Sequence, residues 1–223
     1  AVDLPAVGRH LKEQPLVSLT YRTRTPTYNL TEGPLQKLAI AAKFLLSGEG
    51  RLSNLFEGAA FIRSSESRPA PDLQLLFLAF GFVKTPQGRL KLAPYPAVMV
   101  MVMKSYPLST GRVALASNDP GAAPLIECRL LEEQADLDSL VRGIDAARRI
   151  MRTEPVSGLI AEEVTPGTSI HSPSALVEFI RSHAGVSFHP IGTCRMGIGA
   201  DTVVGPQLRV HGMENLWVAD ASI

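Results

Sequence analysis

Between Leu16 and Arg24 the chain alternates apolar or β-branched residues with polar ones, the period of a strand with one buried face, and Thr25-Pro26-Thr27 closes the run. From Pro34 the period changes. Leu35, Leu38, Ala39, Ala42, Leu45 and Leu46 recur at helical spacing, with Pro34 suited to the first helical position and Gly48 to the stop. A short strand is expected over Ala59 to Ile62. The runs Asp72 to Phe82 and Pro96 to Lys104 are almost continuously apolar, which predicts strands buried on both faces. In the second run Met99, Met101 and Met103 alternate with Val98, Val100 and Val102, so the methionines share one sheet face. Core filling is the commoner use of such a stripe, and adaptation to a ligand the rarer one. Pro86-Gln87-Gly88, between the two runs, reads as a loop placed to serve as a lid.

Gly111 to Ala116 predicts another strand, ended by the turn signal Asn118-Asp119-Pro120-Gly121. The clearest helix follows. Leu137, Leu140, Val141, Ile144, Ala147, Ile150 and Met151 recur at three and four, which turns Asp138, Arg142, Asp145, Arg148 and Arg149 outward. The arginines near its C-terminal end suit the helix dipole and need no partner. A second helix is expected over Ser174 to His183, capped by Ser172 with Pro173 first, and His171 and His183 flank it at the surface. Leu216 to Ala219 reads as a final strand.

Composition narrows the classes. With 223 residues the chain has ample length for a core, and 45% hydrophobic with 19% charged residues is ordinary for a globular protein. A formal charge of +1 with scattered basic residues argues against a nucleic-acid partner. The two cysteines, Cys128 and Cys194, are far apart and form no CxxC spacing, so reduced thiols and a cytoplasmic location are expected. No pair of histidines has metal-ligand spacing, and no metal is expected. No apolar run reaches the roughly 20 residues of a membrane-crossing helix. Asn29-Leu30-Thr31 matches a glycosylation sequon, a frequent accident.

The densest chemistry lies in Phe188-His189-Pro190-Ile191-Gly192-Thr193-Cys194-Arg195-Met196-Gly197. Glycine and proline are poor interior residues of helices and strands, whereas loops on rigid scaffolds carry functional groups. Pro190 biases His189 toward an extended backbone, and Gly192 lets the chain turn. A surface turn with an incidental histidine is the plainer alternative for a lone imidazole. The next run, Val203-Val204-Gly205-Pro206-Gln207-Leu208-Arg209-Val210-His211-Gly212, leads to Leu216-Trp217-Val218-Ala219-Asp220-Ala221-Ser222.

In this order the two runs resemble the C-terminal part of the glucose–methanol–choline (GMC) flavin oxidoreductases, of the choline-dehydrogenase-like kind. Leu4-Pro5-Ala6-Val7-Gly8-Arg9-His10-Leu11 resembles the segment where those enzymes leave the flavin domain. There the family often has asparagine at His10 and aspartate–histidine at Glu13-Gln14. Ser53-Asn54-Leu55-Phe56-Glu57 and Gly111 to Pro120 also fit. The resemblance implies an α+β fold, a largely antiparallel sheet flanked by helices, whose short terminal segments belong to an absent FAD-binding domain. Residues 1–14 would end that domain, 15–187 would form the substrate-binding domain, and 188–223 would carry the active-site loop and return to the flavin domain. The GxGxxG motif is missing, and Gly197-Ile198-Gly199 lacks the third glycine and the strand–helix context. The chain is therefore expected to be a piece of a longer enzyme, with that motif and a second active-site histidine or asparagine elsewhere.

What the resemblance implies for chemistry is oxidation of a primary alcohol to an aldehyde, with FAD taking the hydride and His189 the proton. Imidazole suits that role because its ordinary pKa lies near neutral pH. Phe188 would line the pocket, and Asp220 with Ala221 would lie against the cofactor. Glu57 would hold a cationic headgroup, charge and cation–π attraction acting together beside Phe56; a glutamate kept for structure is the alternative. His211 has a weaker claim, lying in strand and turn. The expected partners are a small alcohol and the remaining FAD-binding part of the same enzyme. A flavin-containing hydroxynitrile lyase of the same family and a non-catalytic ligand-binding or interaction domain stay open.

Overall fold

The structure, a computed structural model, describes residues 2–29, 33–85 and 88–223. In chain order its elements are β1 (Arg9–Leu11), β2 (Pro15–Thr23), α1 (Pro34–Ser47), β3 (Gly58–Ile62), β4 (Leu73–Leu78), β5 (Phe82–Lys84) and β6 (Leu90–Leu92). There follow β7 (Ala97–Lys104), β8 (Gly111–Ala114), β9 (Leu125–Glu127), α2 (Gln134–Met151), α3 (Val156–Leu159), β10 (Ile160–Thr165), α4 (Pro173–His183) and β11 (Gly185–Val186). The chain interleaves two units. A terminal unit comprises Ala1–Pro15, Lys104–Leu137 and Gly185–Ile223, and a sheet unit comprises Leu16–Met103 and Asp138–Ala184.

The sheet unit is ordered β10-β2-β7-β4-β3, with β10–β2, β2–β7 and β3–β4 antiparallel. This is the α+β architecture the sequence leads one to expect. The β2–β7 ladder keeps one unbroken register from Leu16↔Met103 to Arg22↔Ala97. β7 is buried along nearly its whole length, as a central strand must be, and Met99 and Met103 are core residues on one face. Helix α2 lies close on this sheet: a Cβ at Gly143 would collide with the Val102 side chain, so only glycine admits the approach. Leu140, Ile144, Ala147 and Met151 are buried as the periodicity requires.

Arg148 departs from expectation. It is buried, not outward, and its guanidinium grips Glu163 of β10. Nη2 lies 2.7 Å from Oε1 and Nε 3.1 Å from Oε2, while Nη2 also donates to the Ile170 carbonyl at 2.8 Å. Nearby, Tyr21 is buried with a hydroxyl that finds no partner among the described residues; burial first, then the Glu163 charge, pushes its phenol well above the ordinary value. Ile150, expected inside, is exposed at the helix end.

The run from Asp72 to Phe82 is broken: β4 stops at Leu78 and β5 starts at Phe82 to form a hairpin with β6. The break is held by Asn29. Its Nδ2 donates to the carbonyls of Gly81 at 2.8 Å and Ala93 at 3.0 Å, and its Oδ1 accepts from Gly81 N at 2.7 Å. A buried amide so engaged is no glycosylation acceptor; Leu30 and Thr31 of that sequon lie outside the described residues, as do Pro86 and Gln87 of the expected lid. Helix α1 starts at Pro34 and stops at Gly48 in the left-handed region, as expected, yet none of its residues is buried within this chain. Helix α4 is capped by Ser172, whose hydroxyl accepts from Ala175 N.

In the terminal unit β8 pairs with both β1 and β9. A small core gathers Ala6, Val203, Val204 and Val210, with Leu4, Cys194, Met213, Val218 and Ile223 packed against it. The strand expected over Leu216 to Ala219 is reduced to one bridge, Arg209↔Trp217. Among the described residues no helix is long and apolar enough to cross a membrane.

Candidate active site

The His189 loop is stitched to the N-terminal segment by main-chain hydrogen bonds within the terminal unit. Gly8 N donates to Thr193 O at 2.8 Å, Lys12 and Ile191 exchange bonds of 2.9 Å each, and Ser187 N donates to Gln14 O at 3.2 Å. His189 therefore sits at the crest of a short turn between two anchored ends. Phe188 is left in the left-handed region with φ 61°, uncommon for a residue with a Cβ, and the residue is 83% exposed. Backbone strain of this kind concentrates at functional sites.

Two side chains hold the crest from below. Glu13 is 6% exposed, and its Oε1 accepts from Gln14 N at 2.9 Å, Ser187 Oγ at 3.1 Å and His189 N at 3.0 Å. A buried carboxylate is tolerated only with such donors around it. Gln14 donates from Nε2 to Ser105 O at 3.0 Å and presents Oε1 to His189 Nδ1, also at 3.0 Å. The imidazole is thus exposed and gripped at Nδ1, and its Nε2 has no hydrogen-bond partner among the described residues. Sequence reasoning noted Glu13 and Gln14 only as departures from a family pattern. Locally they are only the last two of three consecutive polar residues, Lys12-Glu13-Gln14, before Pro15.

Gly192 has φ 87°, and a Cβ there would collide with the His10 carbonyl. Gly192→Ala is expected to destabilise the terminal unit by about 1–3 kcal/mol, since the chain must leave the left-handed region or push His10 away. Denaturant titration checks this, and an unchanged midpoint would show the loop to be slack. His10 itself has φ 62°, and its Nε2 lies 3.9 Å from Asp201, which Arg195 holds at 2.7 Å.

Downstream of the turn the loop joins the chain's last residues. Cys194 N donates to Ser222 O and Met196 N to Ile223 O, both at 2.8 Å. Asp220 closes an Asx turn, its Oδ1 accepting from Ser222 N at 2.8 Å. Ser222, through its hydroxyl first and its backbone N–H second, holds the Asp220 carboxyl below its ordinary value. A lowered value means that the turn keeps this stabilisation at neutral pH and loses it as pH falls through the folded-state pKa. The Ala221 N–H has no acceptor among the described residues. His211 is used internally: its Nε2 lies 3.0 Å from Gly197 O and 3.1 Å from Thr202 Oγ1. Phe188, His189, Asp220 and Ala221 share the terminal unit. Glu57 belongs to the sheet unit, exposed, with its backbone N–H on Phe77 O at 2.9 Å.

The GMC oxidoreductase family profile matches residues 107–223, more than half of the chain and all of its C-terminal portion. This chain belongs to the GMC oxidoreductases. Over 99% of its length it is 36% identical to an oxygen-dependent choline dehydrogenase of Pseudomonas aeruginosa and 34% identical to an alcohol dehydrogenase [acceptor] of Pseudomonas putida. It spans only 39% and 40% of those two proteins. Pyridoxine 4-oxidase from Mesorbium loti superposes over 100% of the chain with a TM-score of 0.79 and 26% identity, the chain covering 40% of that structure. Formate oxidase shares the fold with a TM-score of 0.84 over 100% of this chain and 44% of its own, at 24% identity. GMC oxidoreductases are FAD enzymes. The exposed groups of the terminal unit fit one side of such a cofactor: an aromatic ring at Phe188, an imidazole at His189 and a free amide donor at Ala221.

Proposed function

We propose that the chain is the substrate-side part of a FAD-dependent enzyme that oxidises a primary alcohol to an aldehyde. The observation that carries the reading is the exposed His189 ring, anchored at Nδ1 on Gln14, with no partner at Nε2 among the described residues. Bound FAD supplies the hydride acceptor. The chain's own residues orient the alcohol and remove its proton. His189 Nε2 accepts the hydroxyl proton, and Phe188, displayed by its left-handed backbone, walls the reacting carbon from water. Asp220 shapes a turn from which the Ala221 N–H would donate to the bound cofactor. Glu57, exposed beside Phe56, offers a carboxylate to a cationic substrate headgroup.

On this reading residues 1–14 end the FAD-binding domain, 15–187 form the substrate-binding domain, and 188–223 carry the loop and the return to the flavin domain. The grouping of Ala1–Pro15 with Gly185–Ile223 in one unit supports the association of the two ends, and Lys104–Leu137, here assigned to the substrate-binding domain, joins that same unit. The remaining FAD-binding part of the same enzyme is the chain's main partner. Both cysteines are free thiols, which supports a cytoplasmic location.

The test is anaerobic. Mixing the full-length protein with choline or a simple primary alcohol is expected to bleach its visible flavin band, with the aldehyde formed in equal amount. A flavin that stays coloured with every alcohol while the protein splits a cyanohydrin would replace this reading with a lyase.

A further inference from the structure

We infer that Gln14 is a positioning residue that selects the tautomer of His189, keeping the proton on Nδ1 and the lone pair on Nε2; this rests on the reading of His189 as the base. The two ends of a glutamine amide have the same shape, so which end meets the ring is decided by the other partner. Here that partner is the Ser105 carbonyl, which can only accept, so the amide end 3.0 Å from it is the donating NH2. Oε1 is thereby turned to His189 Nδ1 at 3.0 Å. A carbonyl oxygen also only accepts, so a neutral imidazole in this contact carries its proton on Nδ1. Nε2 is left as the acceptor, on an exposed ring.

The backbone keeps the pair in register. His189 N is held by Glu13 Oε1 at 3.0 Å and Gln14 O accepts from Ser187 N at 3.2 Å, so neither residue can drift without breaking a main-chain bond. The chemistry also explains why glutamine can stand where the resemblance puts histidine. A neutral imidazole offers one donor and one acceptor nitrogen, the same pair as an amide, and could serve Ser105 and His189 alike. Leucine offers neither.

The experiment reads the ring nitrogens of the full-length protein labelled with 15N at histidine, the His189 signals being those lost in His189→Gln. The wild type is expected to show a protonated Nδ1 and an unprotonated Nε2. Gln14→Leu should move the ring toward the Nε2–H form that a free side chain favours. Its kcat should fall by about 10- to 100-fold, the size of effect that removing the outer partner of a metal-bound imidazole has, with KM moving less. Gln14→His should restore both the spectrum and kcat. A wild-type proton on Nε2 overturns the inference, even where Gln14→Leu fails to fold. So does a Gln14→Leu protein with unchanged spectrum and kcat. An Nδ1–H pattern that depends on Gln14, in a protein that oxidises no alcohol, upholds the inference and removes only the catalytic reading.

Discussion

Replacing His189 with alanine in the full-length protein is expected to lower kcat by about 10²- to 10⁴-fold, the usual contribution of a positioned general base, while the flavin stays bound. The selectivity of that loss follows from how the loop is held. Glu13 grips the backbone N–H of residue 189 and not its ring, and the turn is anchored by the Lys12–Ile191 and Gln14–Ser187 bonds, none of which uses the imidazole. Among the described residues the ring's hydrogen-bond partner is Gln14. Alanine therefore removes the proton acceptor and leaves the scaffold. Turnover at saturating alcohol, flavin absorbance per protein and melting temperature should be measured together. Turnover within about twofold of wild type, with flavin retained, would overturn the assignment, since a lost general base costs far more. Loss of flavin along with activity would mark the ring as structural.

The second large effect concerns stability. Arg148→Ala is expected to cost about 3–5 kcal/mol, the range for breaking a buried ion pair by removing one member. The pair qualifies because the Arg148 and Glu163 side chains are only 6% and 4% exposed. The carboxylate takes three hydrogen bonds from the guanidinium, which also donates to the carbonyls of Gly167 and Ile170. Alanine strands the carboxylate and both carbonyls. The double substitution Arg148→Met with Glu163→Met should recover much of the loss, because no charge is then left buried without a partner. Denaturant unfolding of wild type, both single variants and the double variant forms the test. Additive losses would show that the two residues do not act as a pair.

Both cases separate what was legible in the residues from what was not. His189 stood out because proline, glycines and an imidazole together are incompatible with a packed element. Gly192 stood out for the same reason, and its φ of 87° confirms that only glycine suits the turn. Arg148 was misread. Helical periodicity places it on the polar face, and charged residues belong at the surface by default. Nothing local to α2 announces that β10 will bring an acid of complementary shape against that face. Gln14 was noticed only as a departure from a pattern, because its partner lies 175 residues away in sequence.

The residues by themselves determined the helices α1, α2 and α4, the end signals of α1 and α4, the buried strand β7 and the loop that displays His189. These depend on periodicity, capping and turn chemistry, which act over a few neighbouring positions. Only the tertiary structure decided which distant groups meet: Glu13 and Gln14 beneath His189, Glu163 against Arg148, Asn29 across the β4–β5 break. Those contacts come from the pairing of strands and loops far apart in the chain, and a local pattern carries no record of the partner it will find.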